Sequence, residues 1–182
     1  REKGFFAAEG LFAYAAPGWG PQDLRCIGGR MSSMSIVASR AGGIKALADI
    51  KGKRYAYVPA NAATNIKAEA ILEATGIAYK DMTIVGFENN REAFEALLAG
   101  TVDCASAAVH STSAQAFDAQ PDDILWLELP ATNRDLWTKI QRALPLALPF
   151  LEDSGAAIRK DAPKALMGYR DPVVTVYADA ND

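Results

Sequence analysis

Residues 44–66, IKALADIKGKRYAYVPANAATNI, decide how the fold is read. A short helix runs up to a turn at Gly52, and residues 54–58 then read as a strand. A loop of small residues follows and opens a helix near Thr64. A loop at the C-terminal end of a strand aims several backbone N–H groups at one spot. Asn and Thr side chains add to them here. The first N–H groups of a helix lack intrahelical partners and carry the positive end of its dipole, so such a spot suits an anion. The plainer alternative is a strand-to-helix connection with Asn61 or Thr64 as the N-cap.

The same alternation continues downstream. A helix is predicted over 64–75, with Ile66, Ala70, Ile71 and Ala74 on one face, Lys67, Glu69 and Glu73 on the other, and Gly76 at its end. A strand over 83–87 precedes a helix opening with Asn89 and Glu92, which have capping-box spacing. Phe94, Leu97 and Leu98 form its apolar face and Gly100 closes it. A strand over 102–109, a short helix from Ser111, a strand over 124–129 and a helix over 133–144 come next. Pro145 and Pro149 then break the chain, which reads as irregular until a strand over 172–177. On the other side, 1–16 reads as a helix, 18–23 as a turn, and 24–28 and 35–39 as strand pieces around 30–34. Strands separated by helical patterns predict right-handed βαβ units and a largely parallel sheet.

With 182 residues, the chain has room for one sizeable domain or two small lobes. Half of it is hydrophobic and the net charge is −3, so neither nucleic acid nor an anionic membrane surface is an expected partner. No apolar run approaches the roughly 20 residues of a membrane span. The chain opens on Arg1, as a processed secreted protein or a fragment does. Cys26 and Cys104 are expected as free buried thiols.

In open α/β sheets ligands sit outside the C-terminal ends of the strands. The loops expected there are 58–65, 87–90 and 109–113. Candidate ligand contacts are Asn61, Ala62, Ala63, Thr64 and Asn65 in the first, and His110 and Ser111 in the third. Each has a bland counterpart. Asn89 and Ser111 suit helix caps, and a lone histidine is more often a satisfied structural residue. A carboxylate ligand would want a bidentate arginine, for which Arg30 and Arg91 are candidates, while Arg54 suits the solvated start of its strand. His110 and Ser111 are adjacent, but no G-x-S-x-G elbow, P-loop, dinucleotide fingerprint or metal-ligand spacing occurs, so no catalysis, cofactor or metal is expected.

The wording of residues 43–64 resembles the GI-x-SL-x-DLKGKRV-x-VG-x-x-GSGT region of the TAXI family, the extracytoplasmic solute receptors of tripartite ATP-independent periplasmic (TRAP) transporters. Gly43, Ile44, Leu47, Asp49, Lys51, Gly52, Lys53, Arg54 and Thr64 match, whereas Val58, Asn61, Ala62 and Ala63 replace that loop's glycines and serine. GTVDCASAAVHSTSA resembles the family's G-x-IDA segment, and GYRDPVVTVYADAND its Y-x-x-P-x-x-x-x-YA segment. The resemblance implies a type II periplasmic-binding-protein-like α/β fold, with two lobes of mostly parallel sheet joined by a hinge at 30–34. Residues 1–32 would belong to an incomplete first lobe, 33–150 to the second, and 151–182 would return to the first. It further implies a periplasmic receptor that captures a small carboxylate or amino acid between the lobes and delivers it to TRAP membrane subunits. The rival expectations are the ligand-sensing domain of a transcriptional regulator and a small hydrolase using His110 and Ser111.

Overall fold

The computed structural model describes residues 17–18 and 24–177, with side chains from 29 to 170 in the strands at either end. The helix predicted over 1–16 and the side chain of Cys26 lie outside the described residues. By contacts the chain divides into two compact units. One comprises the segments up to Ser32 and from Tyr169 onward, the other Ser33–Gly168. Residues 151–168 thus go with 33–150. The segment at 30–34, read as a break between two strand pieces, lies inside one continuous strand, β1 (Leu24–Ser39), whose backbone leaves the first unit and enters the second.

The second unit is built around β2 (Arg54–Tyr57). It pairs in parallel with β3 (Thr83–Gly86) on one side, Arg54 opposite Thr83 and Tyr57 opposite Gly86. On the other side it pairs in parallel with β4 (Cys104–Ala108), Tyr55 opposite Cys104. β1 runs antiparallel to β4, with Met34 opposite Ala108 and Ala38 opposite Cys104. β5 (Ile124–Trp126) also lies antiparallel on β1. These two antiparallel pairings belong to the crossing strand β1, whereas the βαβ core is parallel as its alternating pattern requires.

Helices cover both faces of this sheet. α1 (Ala62–Ala74) packs on the face that carries Cys104 and Ser106, and α3 (Arg134–Ala143) packs against α1. On the opposite face, α2 (Asn90–Leu98) and the 3-10 segment Thr112–Ala119 cover Val37, Ala56, Ala105 and Ala107. Because side chains alternate along a strand, each of these strands supplies both layers, which is why they read as near-continuous apolar runs. The α2 side centres on Phe94, Phe117 and Trp126. The Phe94 and Phe117 rings are 4.9 Å apart, Phe117 meets Trp126 edge-on at 6.3 Å, and Trp126 donates its indole N–H to Ala156 O at 2.9 Å.

Three elements depart from their sequence assignment. α1 begins at Ala62 rather than near Thr64, so Thr64 lies in its first turn. Lys67, assigned to the solvent face, is buried, with Nζ donating to Ala63 O at 3.3 Å. A lysine stem can lie along apolar surface while its head finds a carbonyl, so a polar letter misreads the face. The region around Pro145 and Pro149 contains a strand, β6 (Leu148–Glu152), antiparallel to β7 (Lys164–Tyr177), which starts well before the predicted 172. Proline reads as a breaker, yet it is tolerated where a strand lies at an edge. The remaining boundaries move by a few residues: β4 is shorter than 102–109 and β5 shorter than 124–129. Gly76, at φ +77°, takes the left-handed position that ends α1.

At the N-terminal ends of β2 and β4, Arg54 grips Asp103 in bidentate fashion, Nε to Oδ2 at 3.1 Å and NH2 to Oδ1 at 2.7 Å, and also donates to Gly100 O. The hydrogen bond from Arg54 holds the Asp103 carboxyl below its ordinary 3.8, so the folded state favours the charged form more than the unfolded chain does. That contribution is present above about pH 4 and is lost as pH falls through the lowered value. We expect Asp103→Asn to flatten the acid limb of the stability curve while leaving its slope near neutrality unchanged, as read by urea denaturation at a series of pH values. We also expect Phe117→Ala, at a fully buried position, to cost about 3–5 kcal/mol in the same assay at pH 7.

Candidate functional site

Parallel pairing of β2 with both neighbours sends the loops after β2, β3 and β4 out of one edge of the sheet. The first two are tied directly: Asn61 Nδ2 donates to Asn90 Oδ1 at 3.1 Å. The third leaves β4 beside β2, its path fixed where Val109 N donates to Ser33 O at 3.0 Å.

Within the first loop the candidate residues divide by role. Asn61 occupies the N-cap position of α1, but its side chain makes no capping bond and reaches across to Asn90 instead. Ala62 and Ala63 form the first turn and are half-buried. Thr64 N and Asn65 N are already bonded to Asn61 O. Asn65 is buried, its amide donating to Val58 O at 2.9 Å, so this side chain closes the loop from beneath rather than facing the rim. In the second loop Asn89 accepts from Glu92 N at 3.0 Å and donates to Glu92 Oε1 at 3.0 Å, the expected cap. In the third, Ser111 caps the segment Thr112–Ala119 by accepting from Ala114 N at 3.3 Å. His110 Nε2 lies 3.0 Å from Glu152 Oε2, and the imidazole side chain is 36% exposed.

Glu152 was not visible as a site residue in the sequence, because it closes a strand hidden by Pro149. It is buried, and donors surround it. Ser33 Oγ donates to Oε2 at 2.5 Å, while Ser154 N and Oγ approach Oε1 at 3.4 and 3.3 Å. A buried carboxylate without such donors would cost several kcal/mol, on the order of a pKa-shifting penalty. Ser154 belongs to loop 153–158, which lies over His110. There Ala157 N donates to Asp118 Oδ1 at 2.7 Å. Gly155 has φ +100°, and a Cβ on it would meet Val109 Cγ1 at 2.5 Å and His110 Cε1 at 2.9 Å. Only glycine gives both the backbone angle and the clearance.

Two of the arginines have partners within this unit, and the third belongs to the other. Arg91 Nε donates to Glu95 at 2.9 Å along its own helix, Arg54 grips Asp103 at the opposite ends of the strands, and Arg30 belongs to the other unit. Cys104 is a free, buried thiol; burial pushes its pKa up to about 12, which removes it as a nucleophile. Among the described residues no group of three or more potential metal ligands occurs, and no helix is long and apolar enough to cross a membrane.

If loop 153–158 sets the position of His110, Gly155→Ala will lower stability by about 1–3 kcal/mol and move the His110 ring. Denaturant melts together with NMR of the single histidine will report both effects.

The comparisons bear on this arrangement. No curated protein matches the sequence. Among solved structures, the periplasmic sulfonate-binding protein SsuA of a sulfonate ABC transporter from Methylobacillus flagellatus KT superposes with a TM-score of 0.50 at 18% identity, over 86% of this chain and 37% of that one. The aliphatic sulphonate binding protein SsuA from Escherichia coli gives 0.47 at 20% identity, over 58% and 33%. A periplasmic binding protein from Brucella ovis with glutathione bound gives 0.48 at 14%, over 88% and 40%. The chain therefore spans well under half the length of these proteins, and what it shares with the first of them is the type II periplasmic-binding-protein fold. The family model that matches is described as NMT1/THI5 like, over residues 20–130. The family found is not the TAXI family that the wording of residues 43–64 resembles, and four of the residues that match that wording have structural roles of their own. Asp49 Oδ2 accepts from Lys45 N and Ala46 N, Gly52 turns at φ +77°, Lys53 Nζ donates to Gly42 O and Arg54 holds Asp103. Asp49, Gly52, Lys53 and Arg54 thus serve local folding. By the extent of that match, this chain belongs to the NMT1/THI5-like family.

Proposed function

We propose that the chain is part of an extracytoplasmic, periplasmic solute-binding protein that takes up a small organic acid or amino acid and presents it to a membrane transporter. The observation that carries this reading is the common edge of β2, β3 and β4. Three polar loops leave it side by side, one joined to the next by Asn61 and Asn90, with His110 open to solvent. The unit Ser33–Gly168 is then the second lobe. Ala62 and Ala63 supply main-chain donors, Asn61, Thr64 and Asn90 polar side chains, His110 and Ser111 the far end of the rim, and Asn65 supports the loop from below. Binding rather than catalysis fits the side chains: the serine beside His110 is committed to a cap, and the thiol is buried.

The shared fold with an ABC-transporter binding protein favours an ABC-type membrane partner. A TRAP-type partner is the second possibility, supported by the wording of residues 43–64. The two differ in the membrane subunits that would co-purify with the receptor.

Titration calorimetry and thermal melts against a panel of carboxylates, sulfonates and amino acids test the reading. We expect at least one compound to stabilise the protein by about 2.7 kcal/mol at a hundredfold excess over its Kd. His110→Ala should weaken that compound by about tenfold, roughly 1.4 kcal/mol. A well-folded protein that responds to no member of the panel overturns it.

A further inference from the structure

β3 closes one side of its sheet, with β2 as its strand neighbour on the other. Thr83 N donates to Lys53 O and Phe87 N to Tyr57 O, each at 2.9 Å, so these residues face β2. Peptide groups alternate in direction along a strand, which turns the N–H and C=O of Ile84 and Gly86 outward. Among the described residues nothing bonds to them. The side chains leave this edge open as well: Thr83 and Gly86 are exposed, and Ile84 is 41% exposed. Such a row of unmet donors and acceptors is a template for another strand, and proteins commonly blunt it with charges, prolines or bulges. Residues 82–87, MTIVGF, contain no charge and no proline, and the register with β2 runs unbroken from Thr83 to Gly86. Charges stand only at the two ends, with exposed Lys80 just before the strand and exposed Glu88 just after it.

We propose that this edge docks a second copy of the chain, the two β3 strands pairing antiparallel about a two-fold axis at Val85. In that register Ile84 of one copy stands opposite Gly86 of the other, and each such pair exchanges both of its outward backbone hydrogen bonds. Opposite residues share a face, so each Ile84 side chain lies over a glycine. The space is there, since a Cβ built on Gly86 meets nothing within 4 Å. On the other face the two Val85 side chains, each packed against the core cluster of its own copy, meet across the axis. The register also sorts charge. Antiparallel pairing carries the Lys80 end of one copy to the Glu88 end of the other, whereas parallel pairing would set Lys80 beside Lys80. A second copy therefore matches this edge in hydrogen bonding, apolar contact and charge at once. The contact is short, so the dimer is weak, and the two-fold consumes the edge, so association through it stops at two copies. The proposal holds or fails independently of the receptor reading.

Sedimentation velocity of the 182-residue chain over a concentration series, joined to amide hydrogen exchange, tests it. The expected result is a monomer-to-dimer transition between about 1 µM and 1 mM. The Ile84 and Gly86 amides should slow in step with it, while those of Thr83 and Phe87, already bonded to β2, change little. Ile84→Pro removes an outward donor and spares the inward ladder. It should raise the dimer Kd about tenfold or more and leave the melt of the dilute monomer unchanged. Should proline disturb the fold, Ile84→Lys keeps the N–H and should weaken the dimer as strongly. Lys80→Glu and Glu88→Lys should each weaken it about two- to fivefold, and the two together should restore it. A chain that stays monomeric up to about 1 mM, assemblies larger than a dimer, or a dimer whose Ile84 and Gly86 amides exchange as in the monomer overturns the proposal. So does a dimer indifferent to both Ile84 substitutions, and a double charge swap no tighter than the single ones overturns the antiparallel register.

Discussion

Everything at the candidate site depends on β2 being paired in parallel on both sides. Parallel ladders need a crossover between strands, and right-handed crossovers put a helix over the sheet and return the chain to the same starting end. With β3 and β4 both parallel to β2, the three loops that follow have no choice of edge. The crossing strand β1, antiparallel to β4, brings Ser33 to that same end, since Met34 lies opposite Ala108 at the close of β4. Residues far apart in the chain, Ser33, Asn61, Asn90 and His110, are thereby gathered by ladder geometry before any side chain contributes.

The opposite end of the same strands is built for stability. Arg54, Asp103 and Gly100 lock the entry of β2 to the turn before β4. Both layers beneath are apolar and tightly filled, with aromatic contacts around Phe117 on one face and around Tyr79, which meets Tyr55 and Tyr57 edge-on at 5.5 and 5.4 Å, on the other. Polar groups thus concentrate at one end of the strands and a bidentate ion pair at the other, and in open α/β sheets ligands favour the C-terminal end.

Glu152 is where the two concerns meet. Burying a carboxylate is expensive unless donors surround it, and here two serines and a histidine do so. The same bonds that satisfy the carboxylate also hold the imidazole of His110 in place. The likeness of residues 43–64 to TRAP receptors has the contrary lesson. Asp49, Gly52, Lys53 and Arg54 are occupied in turns, caps and strand entry, and a fold says nothing by itself about which transporter it serves.

The alternation of strand and helix over 54–108 was legible in the sequence because periodicity, caps and glycine stops are local signals; Asn89 with Glu92 and the C-terminal Gly76 are examples. The lining-up of loops 58–65, 87–90 and 109–113 followed from that alternation. Other features needed the tertiary structure. Lys67 is buried because its stem finds room beneath α1 and its head a carbonyl, which no polarity pattern records. β6 forms despite Pro149 because its partner β7 supplies the ladder from outside the segment. The Ser33–Glu152–His110 chain joins β1, the end of β6 and the loop after β4, which are separated by many residues. A hydrogen bond across such distance is set by how the strands pack, and no local spacing in the sequence encodes it.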